Sequence, residues 1–179
     1  MANLGHNMSI GIFFGSTTGN TEDVAEQVQE HLAPLASNLH NIADEPVTLM
    51  QEYALFICGI PTWDYGELQA DWEDIWDEID ALDLNGKYFA VYGCGDQVGY
   101  PEWYQDAVGL LHDKLCGLGA KPLGYCSTSG YKFEKSKAAI ENNSRFVGLA
   151  VDEDNQHELT EARIANWCEQ VIEEYNATP

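Results

Sequence analysis

Short apolar runs alternate along the chain with longer segments of helical periodicity, and this alternation constrains the fold more than any other feature. The apolar runs predict five β-strands, the last of them interrupted: Ser9–Phe14, a weaker strand near Leu39–Ile42, Leu55–Ile60, Tyr88–Tyr92, and a final strand split between Pro122–Tyr125 and Phe146–Val151. Strands that alternate with helices form βαβ units, so we predict a parallel sheet covered by helices on both faces.

The intervening segments place apolar residues three and four positions apart, as on one face of an α-helix. The predicted faces are Val24, Ala25, Val28 and Leu32; Trp72, Ile75, Trp76 and Ile79; Ala107, Val108, Leu111, Leu115 and Leu118; and Ile164, Trp167, Cys168, Val171, Ile172 and Tyr175. We expect these stripes to face the core. A length of 179 residues lies within the usual size of one domain, so residues 1–179 are predicted to form a single domain.

The charge balance is strongly acidic, with 30 Asp and Glu against 8 Lys and Arg and a net charge of −22. Such a chain repels nucleic acids and anionic membranes and favours basic protein surfaces, although acidity for solubility alone is the alternative. Five cysteines without a C-x-x-C motif indicate reduced thiols, and the scattered histidines argue against a metal site. The first eight residues lack the features of a signal peptide, so we expect a cytoplasmic location.

A run of small polar residues, Ser16–Thr21, separates the first strand from the first helix. A helix N-terminus presents unpaired N–H groups and a partial positive charge, and the hydroxyl side chains supply further donors. The run therefore predicts a phosphate site without a lysine or arginine. It contains neither the Walker motif nor the G-x-G-x-x-G motif. The alternative is an ordinary helix cap at Asn20 or Thr21.

Two further loops follow the third and fourth strands, at the sheet edge where parallel α/β proteins bind their ligands. The segment 61–67 carries Trp63 and the segment 93–100 carries Tyr100. Two aromatic rings from separate loops are suited to sandwich a flat heterocycle, although Trp63 taken alone is typical of a half-buried surface aromatic. The acids Asp64, Glu67 and Asp96 are either acid–base groups or solvated carboxylates. Phosphate and planar ring together predict a mononucleotide ligand.

Four stretches resemble the flavodoxin family, specifically its long-chain bacterial class: IGIFFGSTTGNTE, FICGIPTWDYGELQADWE, LNGKYFAVYGCGDQVGYPEWYQDAVG and RFVGLAVDEDNQHELTEARIANW. The segments PTWDYGE, GYPEWYQDA and WCEQVIEEY are most similar to the second flavodoxin type of enteric bacteria. The resemblance covers nearly the whole chain. It implies a flavodoxin-like three-layer α/β sandwich whose five-stranded parallel sheet has the order 2-1-3-4-5. The last strand would be split by an insertion at about residues 125–146.

The resemblance also implies non-covalent FMN as the cofactor. The phosphate would contact Ser16, Thr17, Thr18, Gly19, Asn20 and Thr21. Trp63 and Tyr100 match the family's two aromatics that stack on the ring, and Cys94, Gly95 and Asp96 match its loop at the ring edge. The other cofactor-binding residues would be Pro61, Thr62, Asp64, Tyr65, Gly99 and Gln105, and Asp154 would reach the ribityl chain. Two positions depart from the family pattern. Asp64 stands where relatives often have Asn or Gly, and Trp103 stands where they often have a polar residue.

The function implied is that of a low-potential one-electron carrier that shuttles between the semiquinone and hydroquinone states and has no substrate chemistry of its own. Its partners would be basic redox proteins, namely an NADPH-linked flavodoxin reductase and electron-accepting enzymes, and the carrier would be a monomer. One alternative is an FMN-dependent NAD(P)H:quinone oxidoreductase, which needs a substrate pocket over the ring. The other is a cofactor-free signalling domain, which leaves the polar run Ser16–Thr21 unexplained.

Overall fold

The computed structural model describes residues 9–179, so the expectation about a signal peptide in residues 1–8 lies outside the described residues. The strands are β1 (Ser9–Phe14), β2 (Ala36–Asn41), β3 (Leu55–Gly59), β4 (Thr62–Trp63), β5 (Glu67–Leu68), β6 (Tyr88–Cys94), β7 (Lys121–Leu123), β8 (Cys126–Ser127), β9 (Ala139–Ile140), β10 (Arg145–Phe146) and β11 (Leu149–Val151). The α-helices are α1 (Asn20–Leu32), α2 (Ala70–Asp74), α3 (Trp76–Ile79), α4 (Asp106–Gly117) and α5 (Thr160–Asn176). Short 3₁₀ helices span Val47–Glu52 and His157–Leu159.

The main sheet is parallel and has the order β2-β1-β3-β6, with β7 and β11 both beside β6. This is the predicted order 2-1-3-4-5, because β7 and β11 occupy the fifth position one after the other. β7 pairs with residues 88–90 of β6 and β11 pairs with residues 92–94. The parallel three-layer fold and the split last strand are therefore confirmed.

Side chains of successive strand residues point to opposite faces of the sheet, and the two faces build two apolar clusters. In β3, Leu55 and Ile57 pack with α1 and α5, whereas Phe56 and Cys58 pack with the helices of the other face. All four side chains are fully buried. Burying an apolar side chain of this size stabilises the fold by about 1.5–3 kcal/mol, so both layers depend on this period of two.

Three predicted elements differ most clearly from the structure, and the bounds of the other predicted strands shift by at most two residues. The second strand begins at Ala36, earlier than predicted, and ends at Asn41, before Ile42. Its sequence is polar and only partly buried because it lies at the sheet edge, so it gives a weak apolar signal. The predicted helix over Trp72–Ile79 is two short helices that meet at Ile75, whose backbone leaves the helical conformation. Phe146 belongs to a separate antiparallel sheet of order β8-β10-β9, so the second half of the split strand begins only at Leu149.

Within residues 9–179, none of the helices combines the length and the apolar character needed to cross a lipid bilayer.

Candidate functional site

The carboxyl ends of β1, β3 and β6 meet at one edge of the sheet, where the pairing register aligns Phe14 with Gly59 and Gly59 with Tyr92. The loops that follow these strands surround a cleft of about 430 Å³. Residues from all three loops and from the segment after β11 line it. The candidate site thus lies where parallel α/β folds bind ligands.

The loop after β1 leaves a row of backbone N–H groups without acceptors. No acceptor among residues 9–179 pairs with the N–H groups of residues 17, 18, 20, 21 and 22. The exception is Gly19, whose N–H donates to Ser16 Oγ at 3.1 Å and whose φ of 96° is the left-handed conformation that glycine adopts without strain. Four residues of this loop face the cleft. Such a row at a helix N-terminus is an anion site.

Tyr92, on β6, stabilises this loop through a buried hydrogen bond. Its hydroxyl donates to the backbone oxygen of Thr21 at 2.8 Å, so that the first turn of α1 is tied to β6. The ring crosses β3 at Gly59, where a Cβ atom would lie only 2.2 Å from the tyrosine ring and hydroxyl. Glycine is therefore required at position 59 to let this bond form.

Gln69 and Trp72 support the loop from the opposite face. Gln69 is buried, and its Nε2 donates to Thr17 Oγ1 at 3.1 Å. Trp72 is fully buried and donates from Nε1 to the Gly59 oxygen at 3.0 Å. Both side chains pack directly against Gly15, where a Cβ atom would lie 2.5 Å from Gln69 Oε1. The loop is thus fixed by buried contacts from two sides.

The second loop is a short hairpin in which β4 pairs with β5 across residues 64–66. Asp64 has a φ of 43° and Gly66 a φ of 86°, so the turn uses the left-handed region twice. Aspartate tolerates this region better than most residues do. Thr62 Oγ1 accepts a hydrogen bond from the Ala107 N–H at 3.0 Å, which anchors the hairpin to the start of α4. The hairpin holds Trp63 at the cleft wall.

Aromatic side chains form the rim of the cleft. Tyr65 is exposed and meets the rings of Trp103 and Tyr100 edge to face, with centroid distances of 5.0 Å and 6.3 Å. Trp103 and Tyr100 line the cleft, whereas Tyr65 stands outside it. A rim of this kind packs against a flat apolar ligand through stacking and edge contacts.

Three buried polar atoms around the cleft have no hydrogen-bond partner within residues 9–179: Trp63 Nε1, Tyr104 Oη and Gln105 Oε1. Buried polar groups are nearly always paired in folded proteins, so these atoms indicate a ligand that carries donors and acceptors of its own. The low polarity around Tyr104 also appears in its pKa, which burial raises well above the usual value for tyrosine.

Carboxylates make the other side of the cleft negative. Asp96, Glu153 and Asp154 all line it. Burial and the neighbouring carboxylates of Asp96, Asp152 and Glu153 raise the pKa of Asp154. Partial burial disfavours ionisation of Asp96, but hydrogen bonds from the Gly99 amide, Asn155 and the Val98 amide outweigh it and lower its pKa. A negative cleft opposes the addition of further negative charge to a bound ligand.

Cys94 ends β6 at the cleft and is buried. Burial is the main reason why its pKa rises to about 12, with smaller contributions from Glu153 and the other nearby acids. The protonated thiol is a weak nucleophile. Cys94 therefore contributes packing to the cleft and no reactive group.

The structure brings most of the predicted site residues to the cleft. These are Thr17, Thr18, Asn20, Thr21, Pro61, Thr62, Trp63, Asp64, Cys94, Gly95, Asp96, Tyr100, Gln105 and Asp154. Four predicted residues do not line it: Ser16, Gly19, Tyr65 and Gly99. Ser16 Oγ instead accepts a hydrogen bond from the Gly19 N–H, and the Gly99 N–H donates to Asp96 Oδ1, so that both bonds shape the cleft loops. Three further residues line the cleft: Tyr104 and Glu153, which were not predicted as site residues, and Trp103, which was noted only as a departure from the family pattern.

The chain matches the family model "Flavodoxin" over residues 12–167. It is 50% identical to "Flavodoxin 2" of Escherichia coli (strain K12) over 167 residues, which is 93% of this chain and 96% of that protein. It is 46% identical to "Flavodoxin" of Nostoc sp. (strain PCC 7120 / SAG 25.82 / UTEX 2576) over 166 residues, again 93% and 96% of the two chains. A crystal structure of Fusobacterium nucleatum flavodoxin bound to flavin mononucleotide superposes with a TM-score of 0.87 and 30% identity, covering 93% and 98%. The chain belongs to the flavodoxin family of electron-transfer proteins.

Proposed function

We propose that this protein binds FMN in the cleft and carries single electrons at low potential. The observation that carries the proposal is the row of unpaired N–H groups at residues 17, 18, 20, 21 and 22, beside a cleft walled by Trp63 and Tyr100. The row suits a phosphate monoester and the two aromatic rings suit a flat heterocycle. The unpartnered atoms of Trp63, Tyr104 and Gln105 supply one donor, one hydroxyl and one acceptor for a polar ligand.

Under this proposal most of the predicted residues keep their roles. Thr17, Thr18, Asn20 and Thr21 hold the phosphate, and Ser16 and Gly19 shape that loop. The hairpin and the loop after β6 hold the ring, and Asp154 lies beside the ribityl chain. Residues 1–179 act as one FMN-binding domain, with an insertion at about 125–146.

Bound FMN supplies one-electron chemistry, and the chain determines how readily the electrons leave. The carboxylates of Asp96, Glu153 and Asp154 disfavour negative charge in the cleft, which lowers the reduction potential. Trp63 and Tyr100 exclude water, and this strengthens the effect of the nearby charges. With Trp63 and Tyr100 stacked on the two faces of the ring, little room would remain for hydride transfer from a nicotinamide or to a quinone, so the NAD(P)H:quinone oxidoreductase alternative is not favoured.

Titration of the apoprotein with FMN and riboflavin, followed by flavin fluorescence, tests this proposal. We expect binding of one FMN per chain and an affinity for riboflavin that is at least about 100-fold weaker, because riboflavin lacks the phosphate and leaves the N–H row unpaired. Equal affinities for the two flavins would contradict a phosphate site at residues 17–22. Absence of flavin binding would contradict the proposal as a whole.

We propose basic redox proteins as partners, among them an NADPH-linked flavodoxin reductase, and a cytoplasmic location. The net charge of −22 and the acidic side of the cleft support attraction to a positive surface. We expect the association rate with such a reductase to fall roughly tenfold as the ionic strength rises from about 0.05 to about 0.5 M, because salt screens the attraction. Stopped-flow kinetics measures this rate. A rate that is independent of salt would contradict steering by charge.

A further inference from the structure

Asp152 is a fully buried carboxylate that follows β11 and does not itself line the cleft. Its Oδ2 accepts hydrogen bonds from the Gln97 N–H at 3.0 Å and from Gln97 Nε2 at 2.7 Å. Its Oδ1 accepts from the Asn155 N–H at 3.0 Å, and Asn155 Nδ2 lies 3.0 Å from both oxygens. Within residues 9–179 no cationic side chain forms an ion pair with it.

The donors to Asp152 are connected to the loop 94–100, which forms one side of the cleft. Gln97 is itself a loop residue and is buried. Asn155 Nδ2 also donates to Asp96 Oδ1 at 2.8 Å, and the same oxygen accepts from the N–H groups of Val98 and Gly99. One buried carboxylate therefore fixes the loop at Gln97 directly and at Asp96 through Asn155.

The same network extends into the segment that separates the two halves of the split strand. Gln97 Oε1 accepts from the Lys132 N–H at 2.5 Å. The Pro101 oxygen, next to Tyr100, accepts from the N–H groups of Glu134 and Lys135 at 2.8 Å and 3.0 Å. The segment thus contacts the cleft loop on the side away from the cleft. Gln97 joins the two, because its side chain accepts from the Lys132 N–H and donates to Asp152.

We infer that Asp152 is a positioning residue for the flavin: it holds the loop 94–100 in the conformation that contacts the ring. This inference rests on the proposed function. A carboxylate is needed because every group directed at it is an N–H donor, and an ionised carboxylate offers acceptors only. An asparagine of the same shape would direct its own N–H groups at one set of these donors. A buried donor left unpaired is costly, so the loop would move.

The test compares the variants Asp152→Asn and Gln97→Ala with wild type and with Glu174→Gln. Glu174 is the matched control, because its carboxylate also accepts from amide donors, the Gly124 N–H at 2.7 Å and Gln170 Nε2 at 2.9 Å, but lies away from the cleft. The dissociation constants of FMN and riboflavin and the two reduction potentials of the bound flavin are measured for each.

We expect Asp152→Asn to weaken FMN and riboflavin by the same factor, about 10- to 100-fold, because the ring loop is disturbed and the phosphate loop is intact. The two reduction potentials should also move closer together, whereas Glu174→Gln should leave all of these values unchanged. Gln97→Ala should show the same pattern with a smaller effect, because Asn155 still holds Asp152.

Wild-type affinities and potentials in both Asp152→Asn and Gln97→Ala would overturn the inference. A loss confined to FMN would overturn it as well, because it would place the effect at the phosphate. If Asp152→Asn fails to fold by circular dichroism, Gln97→Ala decides between these results. Failure of the wild type to bind either flavin would overturn the proposed function, and this inference with it.

Discussion

Replacing Trp63 by alanine should weaken FMN binding about 100-fold. Loss of the apolar contact of a large aromatic side chain costs about 1.5–3 kcal/mol, and loss of stacking costs about 0.5–1.5 kcal/mol more. The sum, about 2–4.5 kcal/mol, corresponds to a change of roughly 30- to 2000-fold in the dissociation constant, and a half-buried side chain such as Trp63 should fall in the lower part of that range. Trp63 Nε1 is buried and has no hydrogen-bond partner within residues 9–179, as expected of a side chain that contacts a ligand. Fluorescence titration of the apoprotein measures the effect.

The matched control is Trp76→Ala. Trp76 is half-buried, packs against the core and lies beneath Lys114, whose Nζ is 4.7 Å from the ring centroid. It does not line the cleft, so its removal should leave the FMN dissociation constant within about twofold of wild type. Equal losses in the two variants would mean that Trp63 acts through stability alone, which would contradict a stacking role.

Replacing Trp72 by alanine should lower the free energy of unfolding of the apoprotein by about 3–5 kcal/mol, the usual cost of truncating a buried aromatic side chain. Trp72 is fully buried in the core, and its Nε1 donates to the Gly59 oxygen. The alanine variant leaves a cavity beside Gly15, at the start of the phosphate loop. Urea unfolding followed by circular dichroism measures the change.

Trp72→Phe separates packing from the hydrogen bond. Phenylalanine keeps most of the apolar contact and loses the N–H donor, so we expect a loss of about 1–3 kcal/mol. The Gly59 oxygen also accepts from the Gly15 N–H at 3.4 Å, which keeps the loss toward the lower end. A phenylalanine variant as unstable as the alanine variant would contradict the assignment of most of the stability to packing.

The sequence predicts the layers of this fold because the strands are buried on both faces. Runs such as Leu55–Ile60 have no polar alternation, which is typical of central parallel strands. The edge strand β2 lacks this signal since its side chains are exposed or only partly buried, and its sequence ASNLHN is largely polar. Its bounds were therefore the least well predicted among the strands that pair along their full length.

The loops of the site were also predictable, because each one follows an apolar run that ends at the same sheet edge. Tyr104 and Glu153 were missed for different reasons. Tyr104 lies beyond the loop, and its ring packs at 5.9 Å from Phe133 and Phe146, contacts that only the tertiary structure reveals. Glu153 is one of many acids in the chain and carries no local signal. The hydrogen bonds between Gln97 and Asp152 could not be predicted either, because they join residues 55 positions apart in the sequence.

A protein that carries one electron at a time on bound FMN should be reduced in two separate steps. Stepwise reduction of the purified, FMN-loaded protein under anaerobic conditions, followed by visible absorption, distinguishes this from a two-electron reaction. We expect a one-electron-reduced flavin that accumulates to near-stoichiometric yield, followed by a second step at low potential. Direct passage from oxidised to fully reduced flavin, together with rapid turnover of NAD(P)H and a quinone, would contradict it.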